Sequence, residues 1–119
     1  MNPHGSAATV AARVAAVETQ VHNPQTGTSY SLVASDAGKL VTLTNGDAIT
    51  LTVPSATFSA GQRVDIAQRG AGAVTVVGSS VTVNAPPGGS LVLQGQYAYA
   101  SLVFISASVA DLVGATVAA

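Results

Sequence analysis

The sequence predicts an all-β domain: a single antiparallel β-sandwich or barrel of about seven to eight short strands, preceded by a short N-terminal helix or arm. Three observations carry that expectation. After residue 25, apolar residues alternate with Thr, Ser and other polar residues at period two, the pattern of a half-buried pleated strand. Clusters of Gly, Pro and Asn punctuate the alternation at short intervals. Val and Thr dominate the alternating runs, and branched side chains suit a pleated surface.

From Ala7 to Val21 the chain is rich in Ala, and Val10, Val14, Val17 and Val21 recur at spacings that place them on one helical stripe. Ser6 is a candidate cap and Asn23-Pro24 ends the run. A helix this short is marginal alone, so the stripe is a candidate for self-association, with β-branched residues at both core positions leaning toward a trimer. Packing of the helix on its own domain and a frayed tail are the other readings. The chain thus divides into an arm, residues 1–25, and an all-β domain, residues 26–119.

Within that domain, SYSLVA (29–34), LVTLT (40–44) and AITLTV (48–53) read as strands, with Asn45-Gly46-Asp47 as a reverse turn and Pro54 as a stop. Ile49, Leu51 and Val53 should face inward, with Thr50 and Thr52 outward. SVTVN (80–84), SLVLQ (90–94), YAYASLVFI (97–105) and ADLVG (110–114) complete the set, with PPGG (86–89) between two of them.

Charge is scarce. Of 119 residues only 8% are charged and the net charge is −1, against about 25% charged in an ordinary soluble domain. Such a surface attracts neither nucleic acid nor an anionic membrane. It also gives weak protection against association, so much of it is expected to be covered by copies of the chain or by other partners. There are no cysteines, which excludes disulfides and thiolate metal sites. The N-terminus lacks the basic and continuous apolar regions of a signal peptide, and no run is apolar enough to span a membrane as a helix.

The stretch 61–78, GQRVDIAQRGAGAVTVVG, holds the sequence closest to a phosphate-binding loop. It lacks the third glycine of a dinucleotide fingerprint, and the AVTVV run after the glycines has strand rather than helix character. It therefore reads as a β-hairpin whose glycines allow positive φ at the turn. On its first strand Val64 and Ile66 face one way while Arg63, Asp65 and Arg69 face the other. Asp65 can sit beside Arg63 and bridge toward Arg69 or a partner chain, which makes these three a candidate subunit contact.

His4 and His22 are the only histidines, far apart and without neighbouring ligand types. Asp36 and Asp47 fall in turns, where their side chains favour local backbone bonds. No nucleophile motif or triad is present, so no catalytic residue, cofactor or metal is expected. Tyr97 and Tyr99 share a strand face and could meet a sugar, although core packing with the hydroxyls at the rim is the plainer reading.

The segments TGTSYSLVASDAGKLVTLTN (26–45), ITLTVP (49–54), AGQRVDIAQRGAGAVTV (60–76) and QYAYASLVFIS (96–106) together resemble a small β-rich domain of tailed-bacteriophage virion proteins, found in head-decoration and in head- or tail-fibre proteins. The likeness covers nearly everything after residue 25. Members often carry an aromatic before the final Leu-Val-Gly element; here Leu112-Val113-Gly114 has none. The resemblance implies a non-enzymatic, multimeric structural module. The expectation is a capsid decoration (cement) protein, made in the bacterial cytoplasm and placed on the capsid exterior. Its partners would be itself, as a homotrimer, and the major capsid protein. A tail-fibre or baseplate module that binds a host receptor is the alternative.

Overall fold

The computed structural model describes residues 20–119. Val10, Val14 and Val17 of the predicted stripe, and His4, lie outside the described residues. The described chain forms eleven short strands: β1 (His22–Gln25), β2 (Ser29–Ser31), β3 (Leu40–Leu43), β4 (Ile49–Pro54), β5 (Arg63–Gln68), β6 (Val74–Ser79), β7 (Thr82–Asn84), β8 (Gly89–Leu93), β9 (Tyr99–Ser106), β10 (Val109–Gly114) and β11 (Thr116–Ala118). A 3-10 turn, Ala34–Asp36, sits between β2 and β3.

The all-β expectation holds, but the single antiparallel sandwich or barrel does not. The strands form a six-stranded sheet ordered β1-β3-β5-β9-β10-β7 and a five-stranded sheet ordered β11-β8-β6-β4-β2. Both are mixed. Through β6 the chain alternates between them, so that β1, β3 and β5 lie parallel in one sheet and β2, β4 and β6 lie parallel in the other. Parallel neighbours need a crossover. Here the crossover is the strand in the opposite sheet, and the result is a stack of coils, as in a solenoid. Inward–outward alternation is the same in a stacked coil as in an antiparallel sandwich, which is why the strands were legible and their pairing was not.

The coils lie in close register. Ile49, Thr50 and Leu51 pair with Val74, Thr75 and Val76, and Leu40 to Leu43 pair with Asp65 to Gln68. Both sets are related by the same offset of 25 residues. The first coil is tighter: His22 to Gln25 pair with Leu40 to Leu43. Its strand β1 contains Pro24, tolerated because β1 is an edge strand whose ladder can spare an N–H.

The predicted hairpin at 61–78 is also corrected. Its two strands, β5 and β6, belong to different sheets, and RGAGA is a corner that carries the chain from one to the other. Neither Gly70 nor Gly72 has positive φ. They are needed for close approach. A Cβ on Gly70 would stand 2.5 Å from the Asn45 carbonyl oxygen, and one on Gly72 would stand 1.8 Å from that of Asp47. The Gly72 amide donates to the Asn45 carbonyl at 2.8 Å, and Asn45 Nδ2 donates to the Thr26 carbonyl of the first coil at 2.9 Å. Three successive corners are thereby bonded in a column.

The later strands close the stack. β9 lies antiparallel to β5 and to β10, β8 antiparallel to β6, and β11 antiparallel to β8, while β7 runs parallel to β10. Between the sheets is one apolar core. Val41, Leu43, Val64, Ile66, Leu102 and Leu112 from one side meet Ile49, Leu51, Val53, Val74, Val76 and Leu93 from the other. Each is buried, and each such burial stabilises by about 1.5–3 kcal/mol. Phe58, from the β4–β5 connection, stacks on Phe104 with ring centroids 4.4 Å apart. The inward set Ile49, Leu51 and Val53 is as expected.

Candidate functional site: a groove on the outer face of the six-stranded sheet

Two polar clusters stand out among the described residues, and they differ in kind. The first is closed. Asp36 is fully buried and accepts three hydrogen bonds: from the Tyr30 hydroxyl at 2.7 Å, from the Val33 amide at 3.0 Å and from Asn23 Nδ2 at 2.8 Å. Burial pushes the Tyr30 phenol above its ordinary range, and the hydrogen bond to the Asp36 carboxylate adds to the shift. The backbone bond expected of a turn aspartate is present, and the two side-chain donors tie the 3-10 turn to β1 and β2. With Asp36 itself buried and satisfied, the cluster is structural.

The second is open and surrounds Asp65. The pleat sends alternate residues of β5 outward, so Arg63 and Asp65 lie outside while Val64 and Ile66 are buried. Arg63 Nε meets Asp65 Oδ1 at 2.8 Å. Ser101, opposite Asp65 on β9, donates its hydroxyl to the same oxygen at 2.5 Å. Gln20 Nε2 donates to Asp65 Oδ2 at 2.7 Å and to the Gly38 carbonyl at 3.2 Å. Partial burial pushes the Asp65 carboxyl up. The hydrogen bonds from Ser101, Arg63 and Gln20, with the Arg63 charge, outweigh it and hold the group below the usual carboxylate range.

Of the three residues predicted as a charged face, the structure brings Arg63 and Asp65 together but not Arg69. Arg69 lies beyond the strand end, with its guanidinium carbon 4.8 Å from the centre of the Tyr97 ring.

Register explains the groove. A row of outward residues crosses five strands: His22, Leu40, Asp65, Ser101 and Val113, each opposite the next. Beside it Tyr99 projects from β9. The groove, of about 380 Å³, runs along this row with Leu40, Tyr99 and Val113 as its apolar walls. Its floor depends on Gly114, at φ 134°, where a Cβ would stand 2.7 Å from Ala100 Cα. Tyr99 and Val113 are 51% and 54% exposed, and Ile105 further along β9 is 54% exposed.

Sequence reasoning found Arg63 and Asp65 but missed Gln20, Ser101 and Val113 as their neighbours. No local pattern marks them, because each arrives from a distant strand. The rim position expected of the tyrosines is corrected too: Tyr97 is 60% exposed, stands in the left-handed region at φ 71°, and helps line a second hollow of about 480 Å³ with Gln94, Gln96 and Tyr99. The inward positions of β9 that a core residue would need belong to Ala100, Leu102 and Phe104.

As chemistry, the Asp65 groove offers apolar walls beside a carboxylate that is already hydrogen-bonded. Ser101 is bonded to a carboxylate with no imidazole beside it, and His22 lies at the far end of the row, its Nε2 2.7 Å from Thr42 Oγ1. Among the described residues no three His, Asp or Glu side chains converge in a way that could hold a metal ion. No protein-family model matches the chain, and no curated protein is significantly similar to it.

Proposed function

We propose that this chain is a structural protein of a tailed-bacteriophage virion, a capsid decoration protein that binds the outer surface of the assembled shell as a multimer. The observation that carries the reading is a set of exposed apolar side chains, Tyr99, Ile105 and Val113, spread along β9 and β10 of one sheet in a chain with very few charges. The segment likeness to virion proteins points the same way. The reading is non-enzymatic: the protein binds the assembled shell in preference to free capsid subunits, and so stabilises the shell by mass action. The multimer is a homotrimer in this reading, with the valine stripe as its contact and the major capsid protein as its partner.

The test is addition of purified protein to undecorated shells. Co-sedimentation and a higher temperature of shell disruption are expected; a protein that stays in the supernatant, and is missing from the shell in electron micrographs of the particle, would sink the proposal.

One observation favours a second reading, a receptor-binding fibre or baseplate module. Tyr97 and Tyr99 offer exposed rings beside the amides of Gln94 and Gln96, a combination suited to a sugar ring. Binding on a glycan array that is lost in Tyr97→Ala would place this reading ahead of decoration.

A further inference from the structure

We infer that the hollow beside the Gly95–Ala98 turn binds an acidic saccharide, with a pyranose ring against Tyr97 and Tyr99 and the acid group on the Arg69 guanidinium. The inference rests on the receptor-binding reading above and deepens it by naming the class of sugar.

The first observation is a tyrosine where a turn calls for glycine. The Ala98 amide donates to the Gly95 carbonyl at 3.0 Å, which closes a four-residue turn with Tyr97 as its third residue. Tyr97 has φ 71°, a conformation that glycine or asparagine adopts at this position of a turn and that strains a larger side chain. The chain places glycine at Gly38, Gly61, Gly88 and Gly114, and the small Ala56 and Ser80 at two further positive-φ sites. Tyr97 alone of this set carries a large side chain, and packing does not account for it, because the residue is 60% exposed. Strain of this kind, held in place without a gain in burial, marks a residue kept for what it contacts outside the fold.

The second observation is what surrounds the ring. Tyr99, also about half exposed, lines the same hollow of about 480 Å³, with Gln94 and Gln96. A volume of that order holds a small ligand. The Gln96 amide spends its Nε2 on the Arg69 carbonyl at 3.1 Å, which leaves its Oε1 as an acceptor. Gln94 makes no side-chain hydrogen bond among the described residues. Aromatic faces for the C–H side of a pyranose, beside amides for its hydroxyls, are the two halves of sugar recognition.

The third is charge. The one ion pair among the described residues is Arg63 with Asp65. Arg69 is exposed, with its guanidinium carbon 4.8 Å from the centre of the Tyr97 ring. The ring holds the guanidinium in place without neutralising it, so its charge stays available to a carboxylate or sulfate. With a net charge of −1 the chain has no broad field to draw an anion in, and recognition of the acid group falls to Arg69 at contact range.

The test applies the full chain to an array of uronate, sialate and sulfated oligosaccharides, each uronate beside its neutral, carboxyl-reduced counterpart. Acidic glycans should be retained about tenfold more tightly than the neutral ones, the difference made by one charge-assisted pair. Arg69→Gln, an exposed change that leaves the fold intact, should erase that difference. Tyr97→Gly should abolish retention while its melting temperature stays level or rises, because glycine relieves the turn. No retention of any acidic glycan, equal retention of the reduced forms, or a Tyr97→Gly variant that still binds overturns the inference. So does loss of binding in Tyr97→Gly together with a lower melting temperature, which would make the tyrosine a packing residue. Retention of neutral glycans alone overturns the acidic class and leaves the receptor reading standing. Acidic-glycan binding by a chain that electron micrographs place on the shell keeps the site and overturns the fibre or baseplate reading.

Discussion

Gly72 gives its amide hydrogen to the carbonyl oxygen of Asn45 at 2.8 Å, and this contact sets how closely one coil can lie on the next. A methyl group on Gly72 would have to push the Asn45–Asp47 corner away, since its carbon would stand 1.8 Å from a backbone oxygen that cannot rotate aside. Gly72→Ala is therefore expected to destabilise the fold by about 3 kcal/mol or more, at the upper end of overpacking costs. Gly46, in the neighbouring corner, has open space around it and an ordinary φ. Gly46→Ala should shift stability by about 0.5 kcal/mol or less. Urea unfolding of the two variants side by side checks this, and equal costs would mean the corners do not stack as described.

Asp36 supports a second prediction. Its removal leaves a part-buried hydroxyl, an amide side chain and a backbone N–H without their acceptor. Asp36→Ala should cost about 3 kcal/mol or more, whereas Tyr30→Phe, which deletes a single donor, should cost about 1–1.5 kcal/mol. Chemical denaturation of both variants reads the ratio.

Acid stability should report on Asp65. Its folded-state carboxyl is held below the unfolded value of about 3.8, so the unfolded chain takes up the proton first as pH falls. The stabilisation from its ionised form is fully present above the unfolded value and is lost as pH drops through the lower, folded one. The stability difference between wild type and Asp65→Asn should accordingly be flat from neutrality to about pH 5 and shrink below pH 4. Melting curves of both proteins across that range check the sign; a gap that widens on acidification would contradict it.

Phe58 supplies a fourth. It comes from a connection rather than a strand, yet it is 3% exposed and stacked on Phe104. Phe58→Ala should cost about 3–5 kcal/mol, as for core aromatics, instead of the small change usual for a loop position. Thermal unfolding measures it.

How much of this was legible in the sequence depends on the range of the interaction. The pleat is local, and it declared which of Ile49 to Val53 point inward and that Val64 and Ile66 oppose Arg63 and Asp65. Sheet membership is not local. Asn45-Gly46-Asp47 and Arg69-Gly70-Ala71-Gly72 have the composition of hairpin turns, and only their mutual contact shows that they are corners. A signal was nonetheless present: Ala48-Ile49-Thr50 and Ala73-Val74-Thr75 repeat at the same offset that the ladder uses. The groove left no comparable trace, because Gln20, Asp65, Ser101 and Val113 meet only once β5, β9 and β10 are paired.

The two ends of the stack are not equivalent. Where the third coil would accept a fourth, β8 and β9 run the other way and clasp it, while β1 and β2 lie at the borders of their sheets. The molecule thus has a direction of growth. A further coil could pair along the border strands β1 and β2, whereas one inserted at the clasp would have to part β5 from β9 and β6 from β8.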